Sequence, residues 1–299
     1  MVGFYVYMQQ TYKYIDTHAH VNINAFKDDF REVIDRTREA GVAHINIGTQ
    51  RDTSARAVEI AQMYTDGVYA IIGLHPVHTS ASYHDEKELG KNMTGFTSRG
   101  EVFDAAYYKD LAKSKKVVGI GECGLDYYRL ESDTKEVQEK AFIAQIELAN
   151  ELNLPLMIHT RDSKGNSESA KAEAGVGNIY DDTHTILKKY AKVKGNVHFY
   201  AGNWEQAKRF FDIGFTVSFT GVITFAKDYE EVVRNAPLDM IHAETDSPYV
   251  APVPHRGKRC EPLFVTEVYK KIAEIKGEDE EKVCVQLMEN AQRLYGIAL

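Results

Sequence analysis

The sequence predicts an α/β protein, a single (β/α)8 TIM barrel carrying an additional C-terminal helix, and three observations lead there. Short β-branched runs alternate with longer segments whose apolar residues recur three or four apart, the pattern of repeated βα units. Each run is followed by a helical segment, and the whole set suits a closed barrel better than an open sheet. Side chains able to bind metal or exchange protons recur where the runs end, and on a barrel those ends share one mouth.

The strands expected, in order, are Tyr14–Thr17, Ala43–Gly48, Val68–Gly73, Val117–Glu122, Leu156–His159, Gly195–Phe199, Thr216–Phe219 and Met240–Glu244. Helical patterns lie between them at Asp28–Glu39, Ser54–Tyr64, Ala105–Ser114, Lys135–Leu152, Thr183–Tyr190, Glu205–Asp212 and Tyr229–Arg234, and two more, Pro262–Lys276 and Asp279–Tyr295, follow the last strand. Pro155 marks a helix end, because proline cannot donate to the preceding turn. Two stretches without periodicity, His84–Gly100 and Ser163–Asp182, follow strand ends and are expected as loops on the active face, the second as an insertion at 163–182. Residues 1–299 are expected to form one barrel domain, with 1–13 as a leader into the first strand.

Composition narrows the classes. The 36 Lys and Arg against 44 Asp and Glu give a net charge of −8, and 43% hydrophobic with 27% charged residues is ordinary for a globular chain, not a disordered or membrane one. The acidity argues against loose, charge-driven adhesion to nucleic acid or membrane, while leaving room for a local basic rim. Three cysteines without a CxxC pair point to a reducing compartment, so a cytoplasmic location is expected. No apolar run approaches the roughly 18 residues of a membrane span.

The sharpest motif is Asp16-Thr17-His18-Ala19-His20 at the end of the first strand, where a period of two sends both imidazoles to one side. Later strand ends bring His75, Glu122, His159, His198 and Asp246. Of these, His18, His20, Glu122, His159, His198 and Asp246 form an N4O2 set able to hold two divalent ions, with Glu122 central enough in strand order to bridge them. Such a donor set admits Zn, Mn, Co or Mg. Cys123 should point away from that set and be a packed thiol. The basic run His255-Arg256-Gly257-Lys258-Arg259 is a candidate rim, and Tyr127, Tyr128, Phe199, Tyr200 and Tyr249 are candidate stacking aromatics.

In order along the chain, DTHAH, GLHP, GECGLDYY, IHTRD, HFYAG, ETDSPY and HRGKRCEP resemble the TatD family of metal-dependent deoxyribonucleases, within the amidohydrolase-like barrels. The resemblance implies a hydrolase with two divalent ions, sometimes a third, that cleaves phosphodiesters from DNA ends with 3′–5′ polarity. It implies His18, His20 and Asp246 around one ion, His159 and His198 around the other, and Glu122 bridging. It further implies Asp246 as acceptor of the water proton, His75 facing the scissile phosphate or assisting an additional ion, and Arg161 on a phosphate oxygen; Arg256 and Arg259 would extend the substrate contact. The expected partner is DNA, as single strands or duplex ends, with RNA a further candidate, and neither a membrane nor an obligate protein partner is expected. Two motifs depart from the family pattern: His198-Phe199-Tyr200-Ala201-Gly202 replaces H-C-F-S-G, and Arg259-Cys260-Glu261-Pro262 replaces R-N-E-P. Neither removes a ligand candidate. An amide or ester hydrolase, such as an aminoacyl-tRNA deacylase, is the alternative, since the same activated water attacks a carbonyl; a barrel that binds without turnover is a third reading.

Overall fold

The structure, a computed structural model, describes residues 12–81, 83–84, 96–97, 99–128, 134–162 and 178–299. Its eight-stranded sheet runs in the order β1 (Tyr14–Ala19), β2 (Val42–Ile47), β3 (Val68–Ile72), β6 (Val117–Asp126), β7 (Leu156–Arg161), β8 (Gly195–Val197), β9 (Thr216–Phe219) and β10 (Ile241–Ala243). Every neighbouring pair is parallel. A parallel pair needs a crossover, and the crossovers here are α1 (Phe30–Glu39), α2 (Arg51–Gln62), α3 (Ala105–Leu111), α4 (Thr134–Leu152), α5 (Ile179–Tyr190), α6 (Trp204–Asp212) and α7 (Glu230–Asn235). Two helices, α8 (Val265–Lys276) and α9 (Glu280–Tyr295), follow β10, as the sequence predicts.

The last strand closes on the first through side chains and loop backbone rather than a full ladder. Thr17 Oγ1 donates to the Ala243 carbonyl at 3.2 Å, the Thr245 amide to Asp16 Oδ1 at 2.9 Å, the Asp246 amide to the His18 carbonyl at 2.9 Å, and the His20 amide to the Ser247 carbonyl at 2.8 Å. These bonds satisfy edge groups that would otherwise be buried without partners. They also tie the two His of the first motif to the Asp of the last.

Alternation divides the core in two. Val42, Val68, Ala70, Ile72 and Leu156 pack outward against the helices, whereas Ala43, Ile45, Ile47, Tyr69, Ile71 and Met157 face inward. The inner cluster continues into Ala291, Tyr295 and Ile297, so α9 and the residues after it plug the end of the barrel opposite the strand C-termini. Asn290 fixes that plug, its Nδ2 donating to the carbonyls of Leu238 and Ile241, each at 2.8 Å.

The boundaries differ from the sequence reading where β6 runs to Asp126 rather than Glu122, where β7 runs to Arg161 rather than His159, and before α5. The stretch expected as a loop to Asp182 already becomes helix α5 at Ile179, because the Asn178 side chain accepts from the Tyr180 amide at 3.0 Å and Asp181 and Asp182 suit the positive end of the helix dipole. Residues 163–177 of that proposed insertion, and 1–11 of the leader, lie outside the described residues. In the stretch 84–100, β4 (Tyr83–His84) and β5 (Phe96–Thr97) pair antiparallel, and most of the rest is likewise outside them. Among the described residues no helix is long and apolar enough to cross a membrane.

Candidate metal centre

Glu122 sits within β6 rather than at its end, and two glycines place it. Gly121 and Gly124 take φ of 148° and 144°; a Cβ on the first would strike the Met157 carbonyl and on the second the His159 carbonyl. With no side chains there, β6 lies close against β7, and the pairing is irregular between Ile120 and Cys123. The buried Glu122 carboxylate therefore reaches the middle of the mouth, while the adjacent Cys123 thiol is buried 3.7 Å from the Met157 carbonyl.

The two oxygens of Glu122 face two different sets of donors. On the Oε2 side, His18 Nε2 stands 3.5 Å away and His20 Nε2 3.7 Å away; these nitrogens are 3.1 Å apart and lie 3.6 and 3.4 Å from Asp246 Oδ1. Four donors bonded at about 2.1 Å to a single tetrahedral ion stand about 3.4 Å from one another, so this spacing fits a cation. On the Oε1 side, His198 Nε2 lies at 2.7 Å and His159 Nδ1 at 2.8 Å, with 3.2 Å between the two nitrogens. His18 and His198 stack at 3.9 Å between centroids, which brings the two sets side by side.

The imidazoles are held from behind, each differently. His20 Nδ1 faces the Ile47 carbonyl at 3.0 Å, so as the donor there it leaves Nε2 with its lone pair toward the site. His159 Nε2 faces Asp126 Oδ2 at 3.0 Å, and His198 Nδ1 lies 3.5 Å from Glu244 Oε1. Glu244 is itself buried and held by the Phe199 amide at 2.6 Å and Ser218 Oγ at 2.7 Å. His75 differs from the rest: its Nδ1 accepts from the Val77 amide at 3.1 Å, so the neutral ring carries its proton on Nε2, 3.3 Å from Glu122 Oε1.

Protonation follows from this packing. Burial, with His198 against it, lowers His18 to about 3; burial, with His159 nearby, lowers His75 to about 4. Burial opposes ionisation of Glu122, but His198, His75, His18 and the His159 hydrogen bond outweigh it and hold the carboxyl well below its usual range. Burial also opposes charge on His159 and His198; Asp126 and Glu122 outweigh it for the first, Glu122 and Glu244 for the second, and both are raised. Protons thus stand between carboxylates and imidazoles where a divalent cation could replace them.

The six donors singled out in the sequence are brought together, with His75 beside them. Arg161 lies at the same mouth, its Nε donating to Asp126 Oδ2 at 2.8 Å and its guanidinium 4.5 Å over the Tyr128 ring. Arg256 is exposed and stacks on Phe225 at 3.9 Å. Arg259 is held elsewhere, donating to both Asp29 oxygens at 2.9 and 2.5 Å and to the Ala25 carbonyl at 2.8 Å. Of the candidate stacking aromatics, Tyr127 and Tyr200 are core residues, each 1% exposed. The sequence reading missed Asp126 and Glu244 as site residues, and Asp16, whose Oδ1 accepts from the His18 amide at 3.2 Å. Each stands two or four residues from a residue already singled out (His18, Glu122, Asp246), and that even spacing was the available signal.

Comparison with known proteins agrees with this architecture. The family profile described as TatD related DNase matches residues 15–296. The chain is 37% identical over 287 residues to the uncharacterized metal-dependent hydrolase YabD of Bacillus subtilis, covering 94% of this chain and 98% of that one. It is 30% identical over 291 residues to the 3′-5′ ssDNA/RNA exonuclease TatD of Pectobacterium parmentieri, covering 95% and 99%. The crystal structure of YJJV, a TatD homolog from Escherichia coli, superposes with a TM-score of 0.75 at 24% identity, covering 96% of this chain and 99% of that one.

Proposed function

The chain belongs to the TatD-related family of metal-dependent hydrolases, and from that premise we propose that it is a cytoplasmic 3′–5′ exonuclease acting on single-stranded DNA, with RNA as a second substrate. The observation that carries the reading is the division of donors between the two oxygens of one buried carboxylate. His18, His20 and Asp246 would hold one divalent ion and His159 and His198 the other, with the Glu122 carboxylate lying between the two sets. When bound, two such ions acidify a water and offset the charge of a pentavalent phosphorus.

The remaining work falls to the side chains. Asp246 uses Oδ1 toward the two imidazoles, leaving Oδ2 to take the proton of the attacking water. His75 stays neutral and presents Nε2–H, so it serves as a hydrogen-bond donor to a phosphate oxygen rather than as a ligand. The always-charged Arg161 neutralises another phosphate oxygen, with Arg256 further out on the rim. Arg259 we assign to structure, since Asp29 holds its guanidinium. A third ion among His75, Asp126 and His159 is disfavoured: it would need His159 twice and would displace Arg161 from Asp126.

The test is cleavage of end-labelled single-stranded DNA by metal-stripped protein, before and after adding Mg, Mn, Co or Zn, beside Glu122→Ala. Metal-restored shortening from the 3′ end is expected, reduced at least about 10³-fold in the variant, the scale of losing a key electrostatic group. A Glu122→Ala protein that cleaves at the normal rate would overturn the shared-ligand assignment. Wild-type protein that binds metal yet cleaves no nucleic acid would overturn the nuclease reading in favour of a carbonyl ester.

A further inference from the structure

Asp126 lies at the end of β6, opposite Arg161 of β7 in the strand register and one pair beyond Leu125 and Thr160. Its carboxylate is 3% exposed and fixed on all sides. Oδ1 accepts from the Tyr128 amide at 2.9 Å, and Gln138 brackets its backbone, accepting from the Asp126 amide at 2.8 Å and donating to the Asp126 carbonyl at 3.1 Å. The remaining oxygen, Oδ2, takes two donors at once: His159 Nε2 at 3.0 Å and Arg161 Nε at 2.8 Å. His159 and Arg161 are two apart on β7, so they project to one side and share this acceptor.

Resting on the reading of the site given above, we propose that Asp126 is a positioning residue that couples the two halves of the machinery, aiming His159 Nδ1 at the ion position and Arg161 at the phosphate through one shared oxygen. A carboxylate behind a ligating imidazole fixes its tautomer and makes it a stronger donor. The same oxygen fixes the Nε edge of the Arg161 guanidinium, whose face lies over the Tyr128 ring. Asp126 is not itself a ligand, because an ion on Oδ2 would face the Arg161 cation that already occupies it.

Asn at this position cannot reproduce the arrangement. Its single carbonyl oxygen can face either the Tyr128 amide or the His159 and Arg161 donors, and the amide N–H₂ then confronts the other. Substitution at Asp126 should therefore disturb metal affinity and substrate affinity together, whereas substitution at Arg161 should disturb only the second.

The experiment is a Co²⁺ titration of the metal-stripped full chain as wild type, Asp126→Asn and Arg161→Ala, followed by visible absorbance and by calorimetry, with thermal unfolding as a check on folding. Asp126→Ser, which brings no opposing amide, stands in if the Asn variant fails to fold. Expected are two equivalents in the wild type, a loss of about 10–100-fold in affinity for one of them in the Asp126 variant, and two unchanged equivalents in Arg161→Ala. With an end-labelled oligonucleotide as substrate, both variants should raise KM. The metal arm needs no substrate, so failure of the nuclease reading leaves it intact. Wild-type affinity for both equivalents in the Asp126 variant would overturn the proposal, as would three equivalents falling to two, which would make Asp126 a ligand.

Discussion

Strands β2, β3 and β7 line the barrel interior with Ala43, Ile45, Ile47, Tyr69, Ile71 and Met157, whereas β8, β9 and β10 line it with Asn196, Thr216, Ser218 and His242. Below the mouth residues His159 and Arg161, the inward side chains of the first half have no polar atoms beyond a tyrosine hydroxyl, which donates to the Ala298 carbonyl at 2.8 Å, and the Met157 sulfur, which accepts from Asn196 Nδ2 at 3.7 Å. In the second, three of them form a chain: Thr216 Oγ1 donates to Asn196 Oδ1 at 3.0 Å, Asn196 Nδ2 to Ser218 Oγ at 2.6 Å, and Ser218 Oγ to Glu244 Oε2 at 2.7 Å, while the buried His242 ring stands outside it with no hydrogen-bond partner among the described residues. Glu244 then stands behind His198. One half holds the barrel together by packing, while the other carries buried charge up to a proposed ligand. A buried charge without partners is costly, so the donors from Ser218 and the Phe199 amide are what stabilise Glu244 at 0% exposure.

A cavity in the apolar half should have the largest effect on stability. Ile45→Ala should lower the unfolding free energy by about 2–5 kcal/mol, the usual range for such a truncation, and leave the Co²⁺ affinity of the folded protein at the wild-type value. Denaturant unfolding and a metal titration on the same sample read both quantities. A loss of metal affinity matching the loss of stability would mean that the two halves do not act separately.

Glu244→Gln addresses the polar half with a smaller effect. The amide can still accept from the Phe199 amide and face Ser218, so packing is kept while the charge behind His198 is removed. Metal affinity at one equivalent should fall about 10–100-fold, with the unfolding midpoint changed less than in Ile45→Ala. Unchanged affinity would demote Glu244 to a space-filling residue.

This division explains what was and was not legible in the sequence. Val68–Gly73 announces itself by an apolar run, because both of its faces are buried, whereas Ala43–Gly48 shows alternation, with Ala43, Ile45 and Ile47 on one face and buried His44 and Asn46 on the other. The donors His18, His20 and Asp246 were legible because metal-binding residue types at strand ends are chemically conspicuous. Asp126 and Glu244 were not, since a carboxylate serving an imidazole has no residue type of its own and is recognised only when the imidazole is seen to face it. Helix α5 began before its expected start because a single cap, Asn178, decides the boundary, and the weak apolar pattern of residues 178–182 did not show it. Arg259 read as part of a basic rim because sequence shows its charge but not Asp29, which comes from a distant helix entry to meet it.

The finest test of the two halves is pH. The His198 imidazole is raised well above its ordinary value, burial being outweighed by Glu122 and Glu244, while His18, on the opposite side of Glu122, is lowered to about 3. At neutral pH, then, His198 keeps a proton that a cation must displace, and His18 has none to lose. Binding at the His159 and His198 position should release protons and weaken as pH falls, by about tenfold per pH unit for each proton displaced, because below the raised pKa the proton competes at full strength. Calorimetry in two buffers of different ionisation enthalpy counts those protons. Removing the charge of Glu244 takes away part of what raises His198, so Glu244→Gln should release fewer protons than the wild type at the same pH. Equal counts would show that Glu122 alone sets the protonation of His198, and that the polar half of the barrel ends at Ser218 without reaching the site.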